Sequence, residues 1–215
     1  MKQLLSYLWP VTKKTKSRIN GSLEITWING KKVLDTKNAN YSYGTLQKIL
    51  SYSLSKINIS SSSEILLLGL GGGSVIQSLR EDFKHIGKIT AIEIDPVIIN
   101  IAAQEFNIIP NHSLEIICDD ALTYVDTCKN TYELIIIDIF IDNTVPQAFY
   151  EIALWEKLIS LLKPQGYILF NAGIYLKEKD KLNDLKSTFA SQLVFTSYEN
   201  ILGTNTILIG EKSLK

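Results

Sequence analysis

Cysteine and histidine are almost missing from this chain, with two of each among 215 residues. Cys118 and Cys128 are too few and too isolated for a disulfide framework. A zinc site, which needs three or four ligands, lacks both the residues and the spacing. No metal is expected. An excess of charge is missing too, since 22 basic residues balance 22 acidic ones. Nothing therefore draws the chain toward nucleic acid or an anionic membrane, and a small-molecule partner is the reading left. No apolar run reaches the roughly 18 residues of a membrane span. The start, MKQLLSYLWPVTKKTK, carries an apolar patch of about six residues, shorter than a secretory core and without a small-residue cleavage site. A reducing, cytoplasmic setting is expected.

What is present divides the chain near residue 60. Between Ser22 and Thr36 two short runs flank Asn29-Gly30, both of which tolerate positive φ, and this predicts a β-hairpin. Leu46, Ile49, Leu50 and Leu54 then fall at helical spacing, and a serine-rich linker follows. Residues 1–60 are thus expected to form a hairpin-and-helix appendage and 61–215 the main domain. In the latter, apolar runs such as ILLLGL and LIIIDIF alternate with amphipathic stretches. Runs without polar alternation suit strands covered on both faces, and strand–helix repetition predicts an α/β, Rossmann-like doubly wound parallel sheet. Two last strands, LVFTSYEN and NTILIG, predict a terminal hairpin.

The chemistry-bearing residues sit at the carboxyl ends of the predicted strands. Gly69-Leu70-Gly71-Gly72-Gly73-Ser74 lies between a strand and a helix start, where glycines permit a sharp turn and close ligand approach. Alone, such a cluster is as often a tight structural turn. Glu93 ends the next strand, 24 positions after Gly69, where a carboxylate can accept from both hydroxyls of a ribose. Asp95, followed by Pro96, is expected to cap a helix. Asp119 and Asp120 with Ala121 follow the third strand, where they could meet an adenine amino group or serve as helix caps. Asp138 ends the fourth strand and faces the ligand crevice, which makes it the best candidate for a chemical role. Trp155, Leu158 and Leu162 read as core, His85 and His112 as surface.

From about Leu23 to Leu208 the order of ILLLGLGGGSV, AIEIDPVIINIA, ICDDALTYV, YELIIIDIF and LLKPQGYILFN resembles the spermidine-synthase-like branch of the class I methyltransferase fold. The resemblance implies a seven-stranded sheet, mostly parallel, with an antiparallel C-terminal strand. It implies that Gly69, Gly71 and Gly73 cradle the amino-acid tail of S-adenosylmethionine or its decarboxylated form. Glu93 would hold the ribose, Asp120 and Ala121 the adenine, and Asp138 would lie beside the sulfonium. A homodimer is implied as well. Departures are equally specific. True aminopropyltransferases carry Gly-Gly-Gly-Asp-Gly-Gly, whereas Gly72 stands at the Asp place and Leu70 and Ser74 replace two glycines. Their catalytic strand ends in Asp-Ser-x-Asp-Pro, whereas Asp138 is followed by Ile139-Phe140-Ile141-Asp142. Val33 stands where their hairpin carries Gln, and the N-terminal sheet is expected to shrink to one hairpin. Tyr41 and Tyr43 lie near a ligand-facing Tyr of the family and either close over a ligand or pack beneath the hairpin.

Three functions follow. The first is group transfer, most simply of a methyl group, from S-adenosylmethionine to a small acceptor, with Asp138 orienting or deprotonating the nucleophile. The second is aminopropyl transfer to a diamine, for which Asp138, Asp142 and Glu151 are left to rebuild the acidic site. The third is a nucleoside-binding module without catalysis. An NAD-dependent dehydrogenase fits poorly, because Asp119-Asp120 and the terminal hairpin have no place in it.

Overall fold

The computed structural model describes residues 2–36, 40–141, 143–173 and 179–214. Strands that must lie inside a sheet covered on both faces have no use for polar alternation, and β5 (Ile65–Leu68) and β8 (Tyr132–Ile137) show the result. All four side chains of β5 and the last four of β8 are fully buried. They pair in parallel at the centre of a seven-stranded sheet, with Leu66 opposite Ile135 and Leu68 opposite Ile137. On one side of them lie β6 (Ile89–Glu93) and β7 (Leu114–Cys118), and on the other β9 (Leu162–Asn171). β11 (Asn205–Lys212) enters antiparallel between β9 and β10 (Leu193–Ile201), giving the order β10-β11-β9-β8-β5-β6-β7. The Rossmann-like sheet with an antiparallel last strand is therefore present.

Helices follow the amphipathic stretches: α3 (Ser74–Glu81), α4 (Pro96–Phe106), α5 (Ala121–Thr127), α6 (Ile152–Ser160) and α7 (Lys179–Thr188). Two apolar clusters, one on each face of the sheet, divide the core between them. Each fully buried Leu or Ile there contributes roughly 1.5–3 kcal/mol relative to exposure. The stretch from Gln147 to Leu162, read from sequence as one amphipathic run, is broken. A 3₁₀ turn over Gln147–Tyr150 precedes α6, and Leu162 already belongs to β9. Trp155, Leu158 and Leu162 are buried as expected.

The N-terminal part is larger than one hairpin. After the short α1 (Lys2–Leu5) come β1 (Val11–Ser17), β2 (Gly21–Ile28), β3 (Lys31–Thr36) and β4 (Asn40–Ser42), an antiparallel sheet in sequence order. β2 and β3 flank Asn29-Gly30 as the sequence predicts. β1 escapes sequence reasoning because it is an edge strand reading VTKKTKS, with no apolar alternation to announce it. Leu23, Ile25 and Leu34 of this sheet pack on Ile98 and Ile101 of α4. Lys13 and Lys32 both reach Glu105 on the same helix, at 2.9 and 3.0 Å. α2 (Gly44–Leu54) then buries Leu46, Ile49, Leu50 and Leu54, the predicted face.

Candidate active site

The carboxyl ends of β5, β6, β7 and β8 open into a cavity of about 220 Å³. Gly69, Gly71, Glu93, Asp120, Ala121 and Asp138 all line it, so residues read from four separate strand ends meet in one place. Gly73 does not line it. It caps α3 with φ 86°, its α-carbon backed by Ile108.

Gly69 carries the tightest constraint. Its φ is +93°, and a β-carbon there would lie 2.3 Å from the carbonyl oxygen of Asp138. The loop therefore approaches the end of β8 more closely than any other residue permits. The Gly69 and Asp138 amides complete this arrangement by donating to the carbonyls of Ile92 and Leu68.

Glu93 is buried at the end of β6. Its Oε2 accepts from the Gly71 amide at 3.2 Å and its Oε1 from the Asp95 amide at 3.0 Å. Burial pushes its carboxyl up to about 7, against the lowering effect of these two amides. A carboxylate has about four acceptor sites, so beside the loop amides Glu93 keeps room for a hydroxyl donor from the cavity. Asp95 caps α4 as predicted, with Oδ1 accepting from Val97 at 2.9 Å and Pro96 at the first helical position.

Asp120 realises its capping alternative. Its Oδ1 accepts from the amides of Leu122 and Thr123 at 2.7 and 3.2 Å, which opens α5 while the residue still lines the cavity. Asp119 turns its Oδ1 to the Asp120 amide.

Asp138 is held by two asparagines that no sequence motif announces. Asn171 Nδ2 donates to its Oδ1 at 2.8 Å, and Asn205 Nδ2 donates to Asn171 Oδ1 at 2.9 Å. The chain of two buried amides fixes the carboxyl from β9 and β11. Its Oδ2 has no partner among the described residues. Burial pushes Asp138 up to about 6, with the Asn171 bond working in the opposite direction.

Tyr43 is packed rather than turned to the cavity. It stacks on Phe106 with ring centroids 4.4 Å apart and donates to the Gly72 carbonyl at 3.1 Å. Burial raises its hydroxyl well above the usual tyrosine range. Its neighbour Ser42 lines the cavity instead and donates to Ser74 at 3.0 Å. A β-carbon at Gly72 would lie 3.0 Å from both Ser42 Oγ and Tyr43 Cε2. A side chain at this place in the loop would press on both, and they would have to give by a few tenths of an ångström to admit it. The side chain of Tyr41, and Asp142 altogether, lie outside the described residues. Glu151 does not line the cavity, being exposed and 3.6 Å from Lys181.

Sequence reasoning missed the turn between β1 and β2. Ile19 and Asn20 line the cavity, and Asn20 Nδ2 donates to Asp95 Oδ2 at 2.7 Å, as does the Ser17 hydroxyl in a short bond to the same oxygen. The signal was there: Asn20-Gly21 is a second Asn-Gly hairpin dipeptide, and Gly21 has φ +67°. His85, expected at the surface, is buried beneath α3 with Nε2 unpartnered, and burial followed by the Arg80 charge lowers its pKa. His112 is exposed.

The chain is similar to an eEF1A lysine and N-terminal methyltransferase of Danio rerio, 31% identical over 117 residues, covering 50% of this chain and 17% of that protein. It is also similar to a polyamine aminopropyltransferase of Vibrio vulnificus, 30% identical over 110 residues, 50% of this chain and 36% of that one. It thus spans well under half the length of either relative. Among solved structures, human methyltransferase-like protein 13 in complex with SAH superposes with a TM-score of 0.64 at 25% identity, covering 80% of this chain and 83% of that one. A probable spermidine synthase from Corynebacterium glutamicum shares the fold, with a TM-score of 0.65 at 19% identity over 94% and 77% of the two chains. Residues 51–202 match the spermine/spermidine synthase domain, and the chain belongs to that family.

Proposed function

We propose that the protein is an S-adenosylmethionine-dependent transferase that moves a methyl group to a small acceptor. The observation that carries this is the meeting of the Gly69–Gly71 loop, the buried Glu93 and the Asp138 carboxyl in one cavity. The residues fit the donor. Gly69 and Gly71 line the cavity without a side chain, Glu93 offers its carboxyl to the ribose hydroxyls, and Asp120 and Ala121 border the adenine position. When bound, the donor supplies an electrophilic carbon on a sulfonium. Holding donor and acceptor in line can contribute about 7–11 kcal/mol, and Asp138 would take the acceptor's proton. Relatives named as methyltransferases and as aminopropyltransferases both support transfer from a donor of this kind.

The loop favours the intact donor over the decarboxylated one. At Gly72 there is no carboxylate to hold an aminopropyl ammonium, and a side chain there would crowd Ser42 and Tyr43. The Ser74 hydroxyl, which accepts from Ser42, and the start of α3 instead offer donors to the amino-acid carboxylate. Aminopropyl transfer is the second reading, and a nucleoside-binding module without turnover the third. Residues 1–60 serve as a cover on the 61–215 domain, through the Ser17–Asn20 turn. A homodimer is carried over from the family resemblance and a cytoplasmic setting from the scarcity of cysteine, and sedimentation checks the dimer.

Calorimetric titration with S-adenosylmethionine and its decarboxylated form tests the reading. Tighter binding of the intact donor is expected. Preference for the decarboxylated form restores the polyamine reading, and binding of neither overturns the assignment of the cavity.

A further inference from the structure

We propose that the acceptor half of the cavity takes a small neutral molecule with an aromatic ring, a phenol or an azole, and presents its O–H or N–H to Asp138. This rests on the transferase reading above. The residues that follow Asp138 in the chain add Ile139, Phe140, Ile141, Pro146 and Phe149 to the lining, all apolar. The wall is fixed in place. A β-carbon on Gly173 would lie 3.2 Å from Phe140 Cε1, so the ring sits directly against that glycine. Phe149 is buried, and its carbonyl accepts from the Trp155 indole at 3.0 Å. Ile141 and Thr144 exchange two backbone hydrogen bonds, at 2.9 and 3.1 Å, which close the turn between them.

Charge decides which acceptor such a wall suits. The other acidic residues of the lining are engaged elsewhere: Glu93 by the Gly71 and Asp95 amides, Asp119 by the Asp120 amide, and Asp120 by the start of α5. Glu151, exposed beside Lys181, is outside the lining. Among the described residues Asp138 is thus the one carboxyl on the acceptor side. A diamine would bring a second ammonium that no carboxyl among the described residues of this wall meets, and an unpaired buried charge costs several kcal/mol. A neutral ring has no such cost. It gains apolar burial and edge or face contacts with Phe140 and Phe149. In the transfer, the acceptor's lone pair forms the new bond to the methyl carbon. The carbon–sulfur bond breaks with its electrons left on sulfur as a neutral thioether, and the acceptor's proton passes to Asp138 and then to water.

The test uses the whole chain, first shown by calorimetry to bind S-adenosylmethionine. If the donor does not bind, the transferase reading itself falls, before any acceptor is added. With donor bound, phenol, imidazole, putrescine and a short lysine-containing peptide are supplied separately, and S-adenosylhomocysteine and methylated product are measured by mass spectrometry. Saturation-transfer NMR on the S-adenosylhomocysteine complex reads acceptor binding independently of turnover. A ring-bearing acceptor is expected to bind and to be methylated, at least about tenfold faster than putrescine or the peptide. Ile141→Asp adds a charge at a position 63% exposed, where folding is not at stake. It is expected to raise KM for the ring-bearing acceptor roughly tenfold while donor affinity stays within about twofold. Faster turnover of putrescine or the peptide overturns the proposal. So does failure of both rings to bind the complex.

Discussion

The two sheets of this protein bury their strands by different rules, and the site lies where they meet. In the seven-stranded sheet, β5 and the end of β8 are covered on both faces and every side chain there is apolar. In the N-terminal sheet one face packs on α4 and the other is open, so β2 alternates and the edge strand β1 is mostly lysine and threonine. The central sheet supplies carboxylates at strand ends. The N-terminal sheet supplies a turn that ties down Asp95 beside one of them. Rigidity at the first therefore matters to chemistry, and at the second to how the cavity is covered.

Identical substitutions in the two regions put this contrast to its hardest trial. Gly69→Ala forces a β-carbon to 2.3 Å from a backbone oxygen, whereas Gly21→Ala, also at positive φ, meets nothing within 4 Å. The first is expected to cost several kcal/mol and abolish donor binding, the second about 1 kcal/mol. Urea denaturation and calorimetry read both. Equal losses would mean that the β5 loop is not the constrained element.

Asp138→Asn removes the proposed base and keeps the shape. Turnover is expected to fall on the order of 10²–10⁴-fold with donor affinity almost unchanged. Loss of donor affinity instead would place Asp138 in the donor half.

A titration sharpens the same contrast. Burial lifts Glu93 from 4.5 to about 7 and Asp138 from 3.8 to about 6. Both carboxyls hold protons more tightly in the folded chain. Their contribution to stability is complete below the unfolded values and is lost as pH rises through about 6 and about 7. The stability of the natural chain minus that of Glu93→Gln should fall between pH 4.5 and 8 by a few kcal/mol. A difference that is flat or rises over that range would mean that Glu93 is not buried as described.

Asn20→Ala has the smallest expected effect. It removes one bond to Asp95, so about 1 kcal/mol of stability and a few-fold of donor affinity are at stake. No change in donor affinity would detach the N-terminal turn from the site.

How much of this was legible depends on how local the cause is. Strand β5, the glycine loop and the Asp95-Pro96 cap are set by neighbouring residues, so periodicity and turn chemistry exposed them. β1 was invisible because an exposed edge strand needs no apolar pattern. Asn20-Gly21 could have been read and was passed over. His85 reads as surface because it lies on no motif, yet the chain buries it. The core positions Trp155 and Leu158 were plain from spacing, while the break at Glu151 was not, since a 3₁₀ turn and a helix share one apolar pattern.

By itself the sequence determined the alternation of elements, the order of the motifs and the carboxylates at the ends of β6 and β8, because each follows from steric and hydrophobic rules acting within a few residues. Only the tertiary structure decided that Asn171 and Asn205 line up behind Asp138, 33 and 34 residues apart along successive links. It alone packed Ser42 and Tyr43 against Gly72, and brought Asn20 to Asp95 across 75 residues. Such contacts arise when separate strands are laid side by side, and no local pattern encodes which side chains will then face each other.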